Sequence, residues 1–366
     1  MIRVLSIFGT RPEAIKMAPV VRELERREGI ASLVCVTAQH RQMLDAALRL
    51  FGIVPDFDLN VMKSAQSLFD ITASVLTGLG GVLETARPDL VLVHGDTTTT
   101  LAGALSAFYR QVPVGHVEAG LRTYDKYSPF PEEMNRQLTD RLSELCFAPT
   151  ERSRGNLLRE GVSPDKIFVT GNTAIDALKT TVRPDYRHPE LERLGEGERL
   201  ILLTAHRREN LGAPLRSIFR AVRRLAERHD DVRVICPAHL NPAVREAASE
   251  LLGGCARIRL IEPLDALDFH NFLARACLVL TDSGGIQEEA PSLGKPVLVL
   301  RAVTERPEGV EAGTLRLVGT EEEAILRAAE ELLEDPEAYA RMSRASNPYG
   351  DGRAAERIAD AICARL

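Results

Sequence analysis

The chain has no cysteine pair at metal-ligand or redox spacing, no apolar run approaching the ~20 residues that span a bilayer, and no surplus of positive charge. Each absence removes a class of function. Cys35, Cys146, Cys236, Cys255, Cys277 and Cys363 are scattered, and most sit in apolar runs, which suits reduced core thiols better than disulfides or zinc. Lys and Arg number 46 against 52 Asp and Glu, so the net charge of −6 offers no basic face to nucleic acid or to an anionic membrane. Any phosphate ligand must then be held by a few placed cations and by backbone amides. HExxH, Walker and GxSxG motifs are missing, and no His/Cys/Asp cluster has metal-ligand spacing, so metal-dependent and acyl-enzyme chemistry lack support. The apolar run Ile2–Phe8 is too short for a signal h-region and has no cleavage site, which predicts a cytoplasmic protein.

What is present is a strict alternation. With 366 residues, 45% hydrophobic and 27% charged, the chain has the composition of an ordinary globular enzyme of one large unit or two domains. Val4–Phe8, Leu33–Thr37, Asp89–His94, Val114–Val117 and Leu145–Ala148 read as buried strands, with amphipathic helical stretches such as Met17–Arg27, Leu68–Thr85 and Thr99–Tyr109 between them. After a Pro-, Gly- and charge-rich stretch, Arg183–Glu198, the cycle restarts with Leu200–Leu203, Val232–Cys236, Ile258–Ile261, Leu278–Thr281 and Val297–Leu300. This pattern predicts two Rossmann-like, doubly wound parallel sheets in tandem: an N-terminal domain over 1–172, a C-terminal domain over 173–350, and a last helix over 351–366 that returns to the first domain.

Ligands of such sheets bind beyond the carboxyl ends of the strands, so the residues that follow each strand carry the argument. Gly9-Thr10-Arg11-Pro12 leads from the first strand into a helix and sets Arg11 and Lys16 where they suit a phosphate or another carboxylate; the plainer reading is a solvated first turn. Asp96, Glu118, and the pair Glu132 and Glu133 follow neighbouring elements. Facing one cleft, such acids raise one another's pKa and suit proton removal from, and return to, carbon; alternatively they are helix caps and a surface turn. His206, with Arg207 and Arg208, ends a strand of the second half and makes an anion site, and His239 holds the equivalent place one strand later. Ser283-Gly284-Gly285 opens a helix after Leu278–Thr281, either as a plain cap or as an amide cradle for a diphosphate. Glu289, six residues beyond Ser283, lies roughly 9 Å further along a helix, the reach from a pyrophosphate to a ribose.

Phe8–Val20, Thr37–Asp45, Val93–Leu101, Gly115–Asn135, Gly171–Ala177, His206–Leu211, Thr281–Pro296, Thr304–Pro307 and Asn347–Gly352 together resemble the non-hydrolysing UDP-N-acetylglucosamine (UDP-GlcNAc) 2-epimerases. The resemblance implies the two-domain GT-B fold with the active site in the interdomain cleft, a homodimer, no metal or other cofactor, and interconversion of UDP-GlcNAc and UDP-ManNAc for cell-envelope polysaccharide. It further implies anti elimination of UDP, a bound 2-acetamidoglucal, and re-addition of UDP after protonation of the other face of C2. By motif, Asp96, Glu118 and Glu132 are the acid–base carboxylates and His206 assists the leaving diphosphate. Arg11, Lys16, Ser283, Gly284, Gly285, Glu289 and Arg306 hold UDP or its sugar, with Phe269 near the uracil. Some relatives carry Gln where Leu264 stands, which removes one polar contact near the base. Gln39, His40, Gln42, Glu132, Arg207 and His239 match a second, activating UDP-GlcNAc site. Two rival readings keep the nucleotide site: a hydrolysing epimerase that releases ManNAc, and a GT-B glycosyltransferase that needs an acceptor pocket.

Overall fold

The computed structural model of the protein describes residues 1–38, 41–62 and 66–366, and of Gln42 the backbone alone. It divides into two compact units, Met1–Lys179 with Tyr349–Leu366, and Thr180–Pro348.

The first unit holds strands β1 (Ile2–Phe8), β2 (Ile30–Val36), β3 (Phe57–Asp58), β4 (Leu90–His94), β5 (Val114–Val117), β6 (Leu145–Ala148) and β7 (Ile167–Val169), in the order β3-β2-β1-β4-β5-β6-β7. Every pairing is parallel. Parallel strands are covered on both faces, so their side chains are apolar on both. Val4, Phe8, Leu90 and Leu92 pack with Met17, Val20, Val21 and Leu24 of the Arg11–Arg26 helix, while Leu5, Ile7, Val91 and Val93 pack on the opposite face. β3 and β7 are two and three residues long, too short to leave a periodic signal in the sequence.

The boundary differs from the expected 172/173. Asn172 N donates to Tyr349 O at 2.7 Å, and Asp176 accepts from Ala354 N and Ala355 N at 3.2 and 2.9 Å. Those bonds tie the Thr173–Thr181 helix to the end of the chain, and the first unit therefore runs to Lys179. The Ala354–Arg365 helix lies in the first unit, where Ala355, Ile358 and Ile362 share a core with Val20 and Leu24.

One helix corrects the expectation about membrane-spanning runs. Leu68–Ala86 has 19 residues and a mean hydropathy of 1.2, enough to cross a membrane by length and composition alone. Counting contiguous apolar residues overlooks it because Thr, Ser and Gly interrupt the run while barely lowering its average. Its Ile71, Val75, Leu79, Val82 and Leu83, at helical spacing, pack on Leu5, Ile7, Val91 and Val93, so it serves here as a layer of the sheet.

The second unit holds β8 (Arg199–Thr204), β9 (Val232–Pro237), β10 (Ile258–Ile261), β11 (Leu278–Thr281), β12 (Val297–Val299) and β13 (Leu315–Leu317), ordered β10-β9-β8-β11-β12-β13 and again parallel throughout. Its Ala213–Arg228 helix buries Leu215, Ile218, Phe219, Val222 and Leu225 against Ile201, Leu203, Val234 and Leu280. At about 1.5–3 kcal/mol for each large aliphatic or aromatic side chain buried, that stripe anchors the helix firmly. The six cysteines are free, and Cys35, Cys146 and Cys236 are buried.

Candidate active site

A doubly wound sheet offers its ligand crevice where the strand order reverses. In the first unit the reversal falls between β1 and β4, which are followed by Gly9-Thr10-Arg11 and Gly95-Asp96-Thr97. Glu13, wholly buried, joins these two loops. One of its oxygens accepts from Gly9 N (3.0 Å) and Thr10 N (2.7 Å), the other from Thr97 Oγ1 (2.7 Å) and Thr100 Oγ1 (3.2 Å). Burial raises its pKa in spite of these bonds. Space dictates Gly9: a Cβ there would stand 2.0 Å from Thr37 Oγ1 and 2.9 Å from Thr99 Oγ1. Arg11, half-buried, makes no hydrogen bond or ion pair to another described residue.

Glu118 leaves β5 in the left-handed region, at φ +70°, a conformation that costs a non-glycine residue energy and is kept only where surroundings enforce it. Its side chain is 10% exposed, ion-paired with Lys16, and accepts from Asn172 Nδ2 at 2.9 Å. His94 Nε2 stands 3.6 Å from the other carboxylate oxygen. Burial pushes His94 down to about 4 against the pull of Glu118, so its ring is neutral, and neither ring nitrogen has a hydrogen-bond partner among the described residues. Asp96 Oδ2 accepts from Arg136 Nε and Nη2 at 3.0 and 2.8 Å. Glu132 opens the Glu132–Leu142 helix, half-buried, with no hydrogen bond or ion pair to another described residue.

The electrostatics differ from those expected. Asp96 and Glu118 each face a cation of their own, and Glu133 moves in the opposite direction to the expected rise. Burial alone would raise Glu133, but the N–H groups of Thr123 and Tyr124, the Gln137 amide and Arg136 bring it below the ordinary value. Glu133 therefore ties the turn at 123–124 to the helix. A second buried set braces the same loops: His116 Nε2 meets Gly95 O at 2.8 Å and Nδ1 meets Asp140 Oδ1 at 2.5 Å, while Asp140 Oδ2 accepts from Gly120 N and Arg122 Nη2.

In the second unit the order reverses between β8 and β11, whose last residues are joined by Thr204 Oγ1 and Thr281 Oγ1 at 2.7 Å. Asp282, fully buried, follows β11. Its Oδ2 accepts from His206 N, Arg207 N and Asn210 Nδ2, each at 2.9 Å, and so shapes the loop after β8. His206 is stacked on His239 with ring centroids 4.8 Å apart and 6° between planes. Desolvation lowers its pKa, with His239 and Arg207, while Asp282 pulls the other way. Arg207 Nε donates to Asp282 O at 3.2 Å, and a Cβ on Gly284 would lie 3.5 Å from Arg207 Nη2, so this cation lies along the Ser283–Gly285 turn.

The structure thus gathers His206, Arg207, His239 and the Ser283–Gly285 turn in one crevice, and Lys16 with Glu118 in the other. For Lys16, of the two partners expected, it is the carboxylate that is present. Arg306 is ion-paired with Glu288, and Glu289 Oε2 lies 3.8 Å from the buried His270 Nε2. Phe269 and Leu264 pack half-buried against the second unit's core. Gln39 and His40, and the side chain of Gln42, lie outside the described residues. Glu13, His94, Asn172 and Asp282 were not singled out from sequence. Asp282 had a readable signal: an acid directly after an apolar parallel strand at a reversal. Among the described residues, no three His, Cys, Asp or Glu side chains are grouped to hold a metal ion.

Two parallel doubly wound sheets, carboxylates at the reversal of one and an anion-type turn at the reversal of the other, define the class: a two-unit α/β protein built for a ligand with an anionic portion. A sequence profile described as UDP-N-acetylglucosamine 2-epimerase matches residues 22–363. The chain is 61% identical over 361 residues to the UDP-N-acetylglucosamine 2-epimerase of Bacillus subtilis, covering 99% of this chain and 95% of that one. A putative UDP-N-acetylglucosamine 2-epimerase solved from Listeria monocytogenes superposes with a TM-score of 0.95 at 59% identity, covering 99% and 95% of the two chains. The UDP-GlcNAc 2-epimerase of Neisseria meningitidis, solved bound to UDP-GlcNAc, superposes with a TM-score of 0.91 at 50% identity over 100% of both. The chain belongs to the UDP-N-acetylglucosamine 2-epimerase family, a family of isomerases.

Proposed function

We propose that this chain interconverts UDP-GlcNAc and UDP-ManNAc by removing the C2 proton, expelling UDP, and re-adding it after C2 is protonated on the other face. The observation that carries the reading is Glu118: a nearly buried carboxylate in a strained backbone conformation, beside Lys16, Asn172 and a neutral His94 whose ring nitrogens have no hydrogen-bond partner among the described residues. Strain of that kind at a strand end is a mark of a working group. A C2 proton next to no carbonyl is weakly acidic, so its removal needs a placed base and a stabilised leaving group. Asp96, Glu118 and Glu132 supply the acid–base carboxylates. The Ser283–Gly285 amides, Arg11 and His206 receive the diphosphate, Arg306 the nucleotide sugar, Glu289 the ribose hydroxyls and Phe269 the uracil face. The relative solved with UDP-GlcNAc supports the substrate.

The same reading makes the protein a homodimer, consistent with Leu68, Phe69, Phe108 and Tyr109 exposed on two helices of the first unit; light scattering at micromolar concentration checks it. It also makes UDP-GlcNAc an activator through Gln39, His40, Gln42, Arg207 and His239. Hyperbolic UDP-ManNAc kinetics unaffected by trace UDP-GlcNAc would sink that part. The reaction itself is tested by NMR of UDP-GlcNAc in D2O with the purified protein. UDP-ManNAc carrying deuterium at C2 is expected. Free ManNAc with UDP would make it a hydrolase, and UDP release only when an acceptor is added would make it a glycosyltransferase.

A further inference from the structure

Asp282 has work left over once its contacts are counted. Its Oδ2 accepts three hydrogen bonds, from His206 N, Arg207 N and Asn210 Nδ2. Its Oδ1 is buried and has no hydrogen-bond partner among the described residues, and the group that faces it is His206 Nδ1 at 3.8 Å. A buried carboxylate oxygen left without a donor is costly, and a small rotation of the imidazole brings Nδ1 within hydrogen-bond reach. The outer side of the ring is also arranged. His206 is 36% exposed and stacked face to face on His239. Asn241 N donates to His239 Nδ1 at 3.1 Å, which holds that ring in place beside His206. Of the stacked pair, it is His206 that faces the Asp282 carboxylate.

We infer that Asp282 is the positioning carboxylate of an Asp282–His206 dyad: it accepts a hydrogen bond from Nδ1–H of His206 and so directs Nε2 to the bridging oxygen of the leaving diphosphate. This rests on the assignment of His206 to the departing UDP made above. In the elimination step an acid–base carboxylate takes the C2 proton, the C2–H electron pair becomes the C1=C2 bond, and the C1–O bond breaks with its electron pair going to the diphosphate oxygen. The proton on His206 Nε2 passes to that oxygen, and the imidazolium becomes a neutral imidazole that keeps Nδ1–H against Asp282. Re-addition of UDP returns the proton to Nε2. Asp282 stays ionised throughout, as the orienting acid of a triad does. The titratable and charged groups facing the ring are Asp282 from the loop after β11, which favours the imidazolium, and His239 from the loop after β9 and Arg207 from its own loop, which oppose it.

The test uses the full-length protein with 15N-labelled histidine, His206 being assigned by comparison with His206→Asn. Wild-type neutral His206 should carry its proton on Nδ1. In Asp282→Asn the three donors hold the amide oxygen in place of Oδ2, so the amide NH2 faces Nδ1 and the proton should move to Nε2. That variant should bind UDP normally and lose kcat by about 100-fold or more. Its KM should change by less than about threefold, and the high-pH limb of kcat should move to lower pH. Adding Asp282→Asn to His206→Asn should cost nothing further. A wild-type His206 protonated on Nε2 would overturn the proposal, and so would an Asp282→Asn loss that persists undiminished in the His206→Asn background. The tautomer is read without turnover, so failure of the wild type to epimerise UDP-GlcNAc would refute the reaction and leave the dyad to be decided separately.

Discussion

Lys16→Met removes the lysine ion-paired with Glu118 and leaves the Asn172 amide at 2.9 Å. The side chains are 16% and 10% exposed, so water replaces the ammonium poorly. Breaking a buried pair by deleting one partner costs about 3–5 kcal/mol, because the remaining charge is left uncompensated. Glu118 keeps one good donor and lies at the mouth of a crevice, which sets the expectation at the lower end, about 3 kcal/mol. For a unit of this size each kcal/mol moves Tm by about 2–4 °C, so the variant should melt about 6–12 °C below the wild type. The assay is thermal melting at neutral pH of the wild type, Lys16→Met, Glu118→Gln and the double variant. Once Glu118 is neutral, removing the lysine no longer breaks this ion pair, so the double variant should melt near Glu118→Gln, with a coupling energy of about 2–3 kcal/mol. Additive losses, with coupling below about 0.5 kcal/mol, would refute the view that Lys16 exists for this carboxylate.

Other expectations follow from the same contacts. His94 and His270 are both pushed by burial to about 4, against 6.5 for a free histidine. Between those values the unfolded chain binds the extra protons, so stability should fall as pH drops from 6.5 towards 4, by up to about 1.4 kcal/mol per pH unit for each ring. His94→Phe should flatten that slope in urea titrations at stepped pH, and an unchanged slope would remove His94 from the account. Glu305 is the opposite case: burial alone would raise it, but Arg301 holds it down to about 2. Its contribution is present above the ordinary carboxylate value and lost as pH falls towards about 2, so Glu305→Gln should be less stable than wild type at pH 7 and converge with it on acidification. Gly9→Ala forces a Cβ onto Thr37 Oγ1 and should cost about 1–3 kcal/mol by chemical denaturation, partly recovered by adding Thr37→Ala. Glu289→Gln should weaken UDP about 10- to 100-fold by calorimetry, the loss of a charged acceptor for the ribose hydroxyls, and leave melting of the free protein nearly unchanged.

The alternation of apolar strand runs with helical stretches was enough to predict two doubly wound parallel sheets, because a strand covered on both faces cannot be written in any other composition. The strand-end rule then places Arg11, Asp96, Glu118, His206 and Ser283 at the carboxyl edges of the two sheets from sequence alone. Short elements escaped: β3 and β13 have two and three residues, too few for any pattern to repeat. Partners escaped for a different reason. Glu13 bonds to a threonine 84 residues away, Lys16 to a glutamate 102 away, and Asp282 to a backbone amide 76 away. A residue's neighbours in sequence tell which strand end it occupies, and that is a local property of hydrophobic period and turn chemistry. Which charge it meets there depends on the order in which strands lie side by side, and only tertiary structure decides that. Of the acids expected to raise one another's pKa, Asp96, Glu118 and Glu133 instead face lysine or arginine, because β1, β4 and β5 lie adjacent and bring the Arg11–Arg26 and Glu132–Leu142 helices up to the same edge.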